Sequence, residues 1–168
     1  MSQVSVSITS LLDRHPVMSI DAMLAHFVPP AQFETASLDS YVPDPAYPSQ
    51  AEAVDKARAF VAGAPTAGGG WFRSGGKSSR GGVKPGIYLD GGFGVGKTHL
   101  LAAMWHLIPG RNYYGTFIEF TALVGALGYR GAVDPLKGAA LLDIDEVELD
   151  DPADTMVTSR QLGELVQR

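Results

Sequence analysis

Gly91-Gly92-Phe93-Gly94-Val95-Gly96-Lys97-Thr98 sets glycines, a lysine and a hydroxyl in the order G-x-x-x-x-G-K-[ST]. That order suits phosphate. Glycines let the backbone curl so that successive N–H groups wrap phosphate oxygens. A helix opening behind them adds its free N-terminal amides and the positive end of its dipole. Lys97 would place a point charge on the β- and γ-phosphates, and the Thr98 hydroxyl would be a ligand for Mg2+. The eight residues Gly91, Gly92, Phe93, Gly94, Val95, Gly96, Lys97 and Thr98 are therefore expected to bind the phosphates of a nucleotide.

A second chemical element is Leu141-Leu142-Asp143-Ile144-Asp145-Glu146, an apolar run ending in two acids. At the carboxyl end of a strand beside the loop, Asp145 could support Mg2+, and Glu146 could align and activate the attacking water. Hydrolysis is the implied reaction. Asp143 would share a strand face with Asp145, so a slip in register would exchange them; the Glu directly after Asp145 favours that residue as metal partner. Glu146 is the candidate catalytic carboxylate. His99 and His106, seven apart on the helix behind the loop, are expected to pack rather than react. Gly76-Lys77-Ser78 imitates the loop's ending, but Trp71 stands where the first glycine belongs.

These groups need strands and helices to hold them. Ile87–Leu89 reads as a short buried strand before the loop, and Thr98–Leu107 as the helix after it, stopped by Pro109-Gly110. Thr116–Phe120 alternates as a strand, with Thr121 able to cap a helix over 122–129. Residues 139–144 form another apolar strand, and 155–167 read as a helix. Alternation of this kind predicts an α/β fold, a P-loop NTPase with a parallel sheet flanked by helices. Upstream, a short helix is expected over 20–27. Ser49 and Glu52 have the spacing of a capping box before a helix over 49–63.

Three regions follow: an N-terminal segment over 1–64 with its capped helix, a glycine-rich basic loop over 65–86, and an ATPase core over 87–168. Between Ala62 and Gly86 lie nine of the 20 glycines and four bases without an acid, which reads as a flexible, solvated loop. At 168 residues the chain is one domain or part of one. The absence of cysteine excludes disulfides and thiolate metal sites. No apolar run is long enough to span a bilayer, and no secretory leader is visible, so a cytoplasmic protein is expected. With 13 basic against 18 acidic side chains and an acidic tail, nucleic acid is a disfavoured partner.

Residues 86–101 and 141–156, with the segment Tyr41-Val42-Pro43-Asp44-Pro45-Ala46-Tyr47-Pro48-Ser49-Gln50, resemble the ZapE/AFG-like AAA+ ATPases. Asp151, Asp154 and Met156 match the D-x-x-D-A-M-like element that follows the family's acidic strand, with Thr155 in the alanine place. The resemblance implies an AAA+ ATPase that remodels a protein partner, linked in bacteria to the cell-division machinery, and a homo-oligomer when full length. Members of the family are longer. The chain therefore reads as truncated after the acidic strand and its following helix, without the sensor residue, arginine finger or helical lid. A fragment of that kind is expected to be poorly stable and nearly inactive alone. A DNA-linked AAA+ protein of the helicase-loader type and a nucleotide-binding scaffold without turnover share both nucleotide motifs.

Overall fold

The computed structural model describes residues 18–64 and 86–147. The elements run α1 (Ile20–Leu24), a 3-10 turn (Ala31–Phe33), α2 (Pro48–Ala62), α3 (Lys97–Leu107), β1 (Asn112–Thr116), α4 (Phe117–Leu136) and β2 (Leu141–Asp145). The expected helix over 155–167, the tail at Asp151–Met156 and all but the last residue of the glycine-rich loop lie outside the described residues.

β1 and β2 pair in parallel, Asn112 opposite Leu141 through Thr116 opposite Asp145. Parallel neighbours need a crossover, and α4 supplies it. Alternation along the strands then gives each face of the sheet its own core. Leu100, Ala103, Met104 and Ile108 of α3 join Val54, Ala57 and Phe60 of α2 with Ala140 and Leu141 on one side. Phe120, Leu123, Ala132 and Leu136 of α4 meet Leu24, Phe27 and Tyr113 on the other, with Leu142 and Ile144 against them. The α/β expectation holds, and the sheet lies between helical layers.

Local chemistry moved several boundaries. The strand expected over 116–120 is instead Asn112–Thr116, and Thr116 caps the helix that follows. Its hydroxyl accepts from the Glu119 amide at 3.3 Å while the Glu119 carboxylate accepts from the Thr116 amide at 2.7 Å. This reciprocal cap contributes about 1 kcal/mol and outweighs the β-like alternation of Thr116–Phe120. Thr121, expected as the cap, sits within the helix and donates to the Phe117 carbonyl at 2.7 Å. The helix starts earlier than 122 and its regular turns break at Gly128, where φ is 69°, close to the expected end; beyond that kink a second helical stretch continues to Leu136.

The capping box expected at Ser49 does not form. α2 starts at Pro48, whose fixed φ suits the first helical position. Glu52 lies alongside Lys56 at 3.8 Å on the exposed surface instead. Ile87–Leu89 is likewise not a strand; among the described residues its backbone has no pairing partner, Ile87 and Leu89 pack against the α2–α3 core, and Tyr88 is exposed. Among the described residues β1 and β2 are the only paired strands, so this segment has no ladder to join.

Gly115 marks a tight contact between sheet and α4. A methyl group there would stand 2.9 Å from Phe27 Cδ1 and 3.2 Å from Phe120 Cε2, in a ring pair with centroids 4.8 Å apart. Gly115→Ala is expected to destabilise the chain by about 1–3 kcal/mol, as overpacking does. Urea unfolding would check this, and an unchanged midpoint would contradict it.

Candidate nucleotide-binding site

The glycine-rich loop runs from Gly91 into α3. Gly94 and Gly96 have φ of 74° and 88°, conformations in which a side chain is strained. Gly96 is constrained twice, because a Cβ would lie 2.5 Å from the Tyr41 ring. The chain then enters α3 at Lys97 with the helix N-terminus facing the loop. The Lys97 ammonium donates to the carbonyls of Gly91 and Gly92, both at 2.8 Å. It thus spans the mouth of the loop. Val95 is half-buried, while Phe93 at the tip is fully exposed.

β2 brings the acids to the same place. The Thr98 hydroxyl donates to Asp145 Oδ2 at 2.7 Å across 47 residues of sequence. Tyr114 Oη donates to the same oxygen at 2.6 Å, and the Glu146 amide donates to Oδ1 at 2.9 Å. Asp145 is buried but satisfied, as a buried carboxylate must be. Tyr114 is what the sequence reading missed. Once β1 is placed at 112–116, Tyr114 falls on the α3-facing side of the sheet beside Asp143 and Asp145; with the strand at 116–120 it had no such position.

Burial first, then the hydrogen bond to Asp145 and the charges of Asp145 and Asp143, raise the Tyr114 phenol far above its ordinary value. It therefore stays protonated and remains a donor. Glu146 is exposed at the end of the strand and has φ of 54°, the one non-glycine residue with positive φ among the described residues. Such a conformation costs on the order of 1–2 kcal/mol. The hydrogen bond that the Glu146 amide donates to Asp145 Oδ1 offsets part of that and fixes where the Glu146 side chain leaves the strand.

Asp143 shares a face with Asp145, as strand alternation requires, but plays a different part. It is 3% exposed, and its Oδ2 has no hydrogen-bond partner among the described residues. Desolvation, then the charge of Asp145, push its pKa well above the usual carboxylate range. Folding therefore favours the protonated form. Its contribution to stability is fully present below the unfolded-state value of about 3.9 and is lost as pH rises through the higher folded value. Asp143→Asn is expected to remove that loss, making the unfolding free energy less pH-dependent above about pH 4. Denaturant titrations at several pH values would check it; parallel pH profiles for the two chains would contradict it.

A family model for AFG1-like ATPase matches residues 19–168. The chain belongs to the AFG1-like ATPase family. As an AFG1-like ATPase it is an ATP-hydrolysing enzyme with the P-loop AAA+ fold, working on ATP with a divalent metal. No curated protein and no solved structure matches it. Among the described residues no helix is long and apolar enough to cross a membrane.

The donor set fits Mg2+. Thr98 and Asp145 offer hydroxyl and carboxylate oxygens, hard ligands at the helix end where phosphates would lie. Among the described residues no group of three or more His, Cys, Asp or Glu side chains could hold a metal unaided. Mg2+ does not need one, since it keeps waters and takes phosphate oxygens as ligands. The two histidines on α3 do other work: His99 Nε2 is 2.9 Å from the Ser37 carbonyl, and His106 Nε2 is 3.0 Å from that of Phe33. Both fasten the N-terminal segment to the helix.

Proposed function

We propose that this AFG1-like ATPase binds ATP with Gly91–Thr98 and hydrolyses it with Glu146. The contact that carries this is Thr98 Oγ1 to Asp145 Oδ2, which joins the loop and the acidic strand end at 2.7 Å. Lys97 would leave the loop carbonyls for the β- and γ-phosphates, a charge-assisted exchange that favours the triphosphate. Thr98 and Asp145 would hold Mg2+, Thr98 as a direct ligand and Asp145 by orienting the Thr98 hydroxyl and bound water. When bound, Mg2+ would neutralise charge on the β- and γ-phosphate oxygens. The Glu146 carboxylate would accept a hydrogen bond from the attacking water and align it with the γ-phosphorus.

Phosphate release by the whole chain, measured against Mg2+ concentration, tests this. Asp145→Asn should need several-fold more Mg2+ for half-maximal turnover; an unshifted requirement would remove Asp145 from metal support. The resemblance to the ZapE branch leads us to propose in addition that turnover remodels a protein of the bacterial division machinery. A fluorescent copy gathering at the septum of dividing cells supports that role, and uniform fluorescence counts against it.

A further inference from the structure

Fifty-four residues before Val95, Tyr41 reaches into the back of the phosphate loop. Its Oη donates to the Val95 carbonyl at 2.6 Å, and its ring fills the space that a Cβ on Gly96 would need. We propose that Tyr41 is a positioning residue for the phosphate loop, holding the Gly96 amide ready for a phosphate oxygen before nucleotide arrives. The proposal rests on Gly91–Thr98 being the nucleotide loop.

The physical link is the peptide plane. In a trans peptide the carbonyl of one residue and the N–H of the next point in opposite directions. A hydroxyl that holds the Val95 C=O on one side therefore turns the Gly96 N–H to the other, away from Tyr41. Left free, a peptide between a valine and a glycine with positive φ could flip and present its carbonyl to the phosphates, which would repel them. Fixing it beforehand removes an ordering cost from binding.

Tyr41 is itself braced. Its ring meets the His99 ring edge-on, with centroids 5.8 Å apart. His99 Nε2 lies 2.9 Å from the Ser37 carbonyl and 3.1 Å from Ser40 Oγ. Ser37 and Ser40 close their own turn: each side-chain oxygen accepts from the other's amide, at 3.0 and 3.1 Å. The turn at Ser37–Ser40 and the helix behind the loop thus hold the tyrosine from two sides.

The test is nucleotide affinity of the full chain and of Tyr41→Phe, which keeps the ring and loses only the hydroxyl. Titration with a fluorescent ATP analogue, competed by ATP or by inorganic tripolyphosphate, should show both ligands weakened by a similar factor, about 3–10-fold for one hydrogen bond. Unchanged affinity, with Lys97→Ala still abolishing binding, overturns the proposal. Weakened ATP with unchanged tripolyphosphate also overturns it, since Tyr41 would then act on the nucleoside. If Lys97→Ala binds as well as the unaltered chain, the phosphate-loop reading itself fails and the proposal falls with it. Should Tyr41→Phe not fold, NMR relaxation of the Gly96 amide in the unaltered, ligand-free chain decides the point. An order parameter near the roughly 0.85 of rigid backbone supports the proposal, and one below about 0.6 overturns it.

Discussion

Lys97→Ala is expected to weaken ATP binding by about 100-fold or more, equivalent to about 2.7 kcal/mol. The lysine has two functions in the loop. Its ammonium spans the mouth, donating at 2.8 Å to the carbonyls of Gly91 and Gly92. With nucleotide it would be the charge closest to the β- and γ-phosphates. Hydrogen bonds from a charged donor contribute about 1.5–3 kcal/mol each, roughly twice the neutral value. Alanine removes the charge and leaves the two carbonyls facing an anion without a cation between them. Fluorescence titration with an ATP analogue measures this directly. A change of less than about threefold would show that the phosphates lie elsewhere.

Glu146→Gln is expected to separate binding from turnover. Glutamine has the shape of glutamate, so the backbone at φ 54° and the hydrogen bond that its amide donates to Asp145 Oδ1 at 2.9 Å are kept. The carboxylate that would align and deprotonate water is lost, and groups in that role supply about 10²–10⁴-fold in rate. Phosphate release should fall by that factor. ATP affinity should hold or tighten slightly, since one negative charge near the phosphates has gone. Turnover unchanged in the variant would assign water activation to another group, and a parallel loss of affinity would make Glu146 a binding residue.

The sequence by itself set which groups the loop carries. Eight contiguous residues carry the glycines, the cation and the hydroxyl, so their types and order are legible in one short stretch of chain. The helix over Lys97–Leu107 was legible for the same reason, bounded by glycine before and Pro109-Gly110 after. So was the run at Leu141–Asp145, apolar enough to read as a strand and followed at once by Glu146.

Competition between local signals hid the boundary of β1. Thr116–Phe120 alternates like a strand, yet Thr116 and Glu119 have the spacing of a reciprocal cap, and the cap formed. Ile87–Leu89 is apolar enough for a strand, but strand geometry persists only with a partner for its backbone, and no described strand lies beside it. Ser49 and Glu52 matched a capping box that Pro48 pre-empted by starting the helix one residue earlier.

Only the tertiary structure decided which side chains meet. Tyr114 and Asp145 are 31 residues apart, Thr98 and Asp145 47, Tyr41 and Val95 54. No periodicity in the sequence links such pairs. Parallel pairing of β1 with β2 sets the register that puts Tyr114 on the same face as Asp145, and packing of the N-terminal segment on α3 brings Tyr41 behind Gly96. The motif points to a phosphate ligand because its groups are contiguous in the chain. Its orientation depends on contacts across the fold, since a backbone rich in glycine has too little steric restraint to hold one conformation by itself.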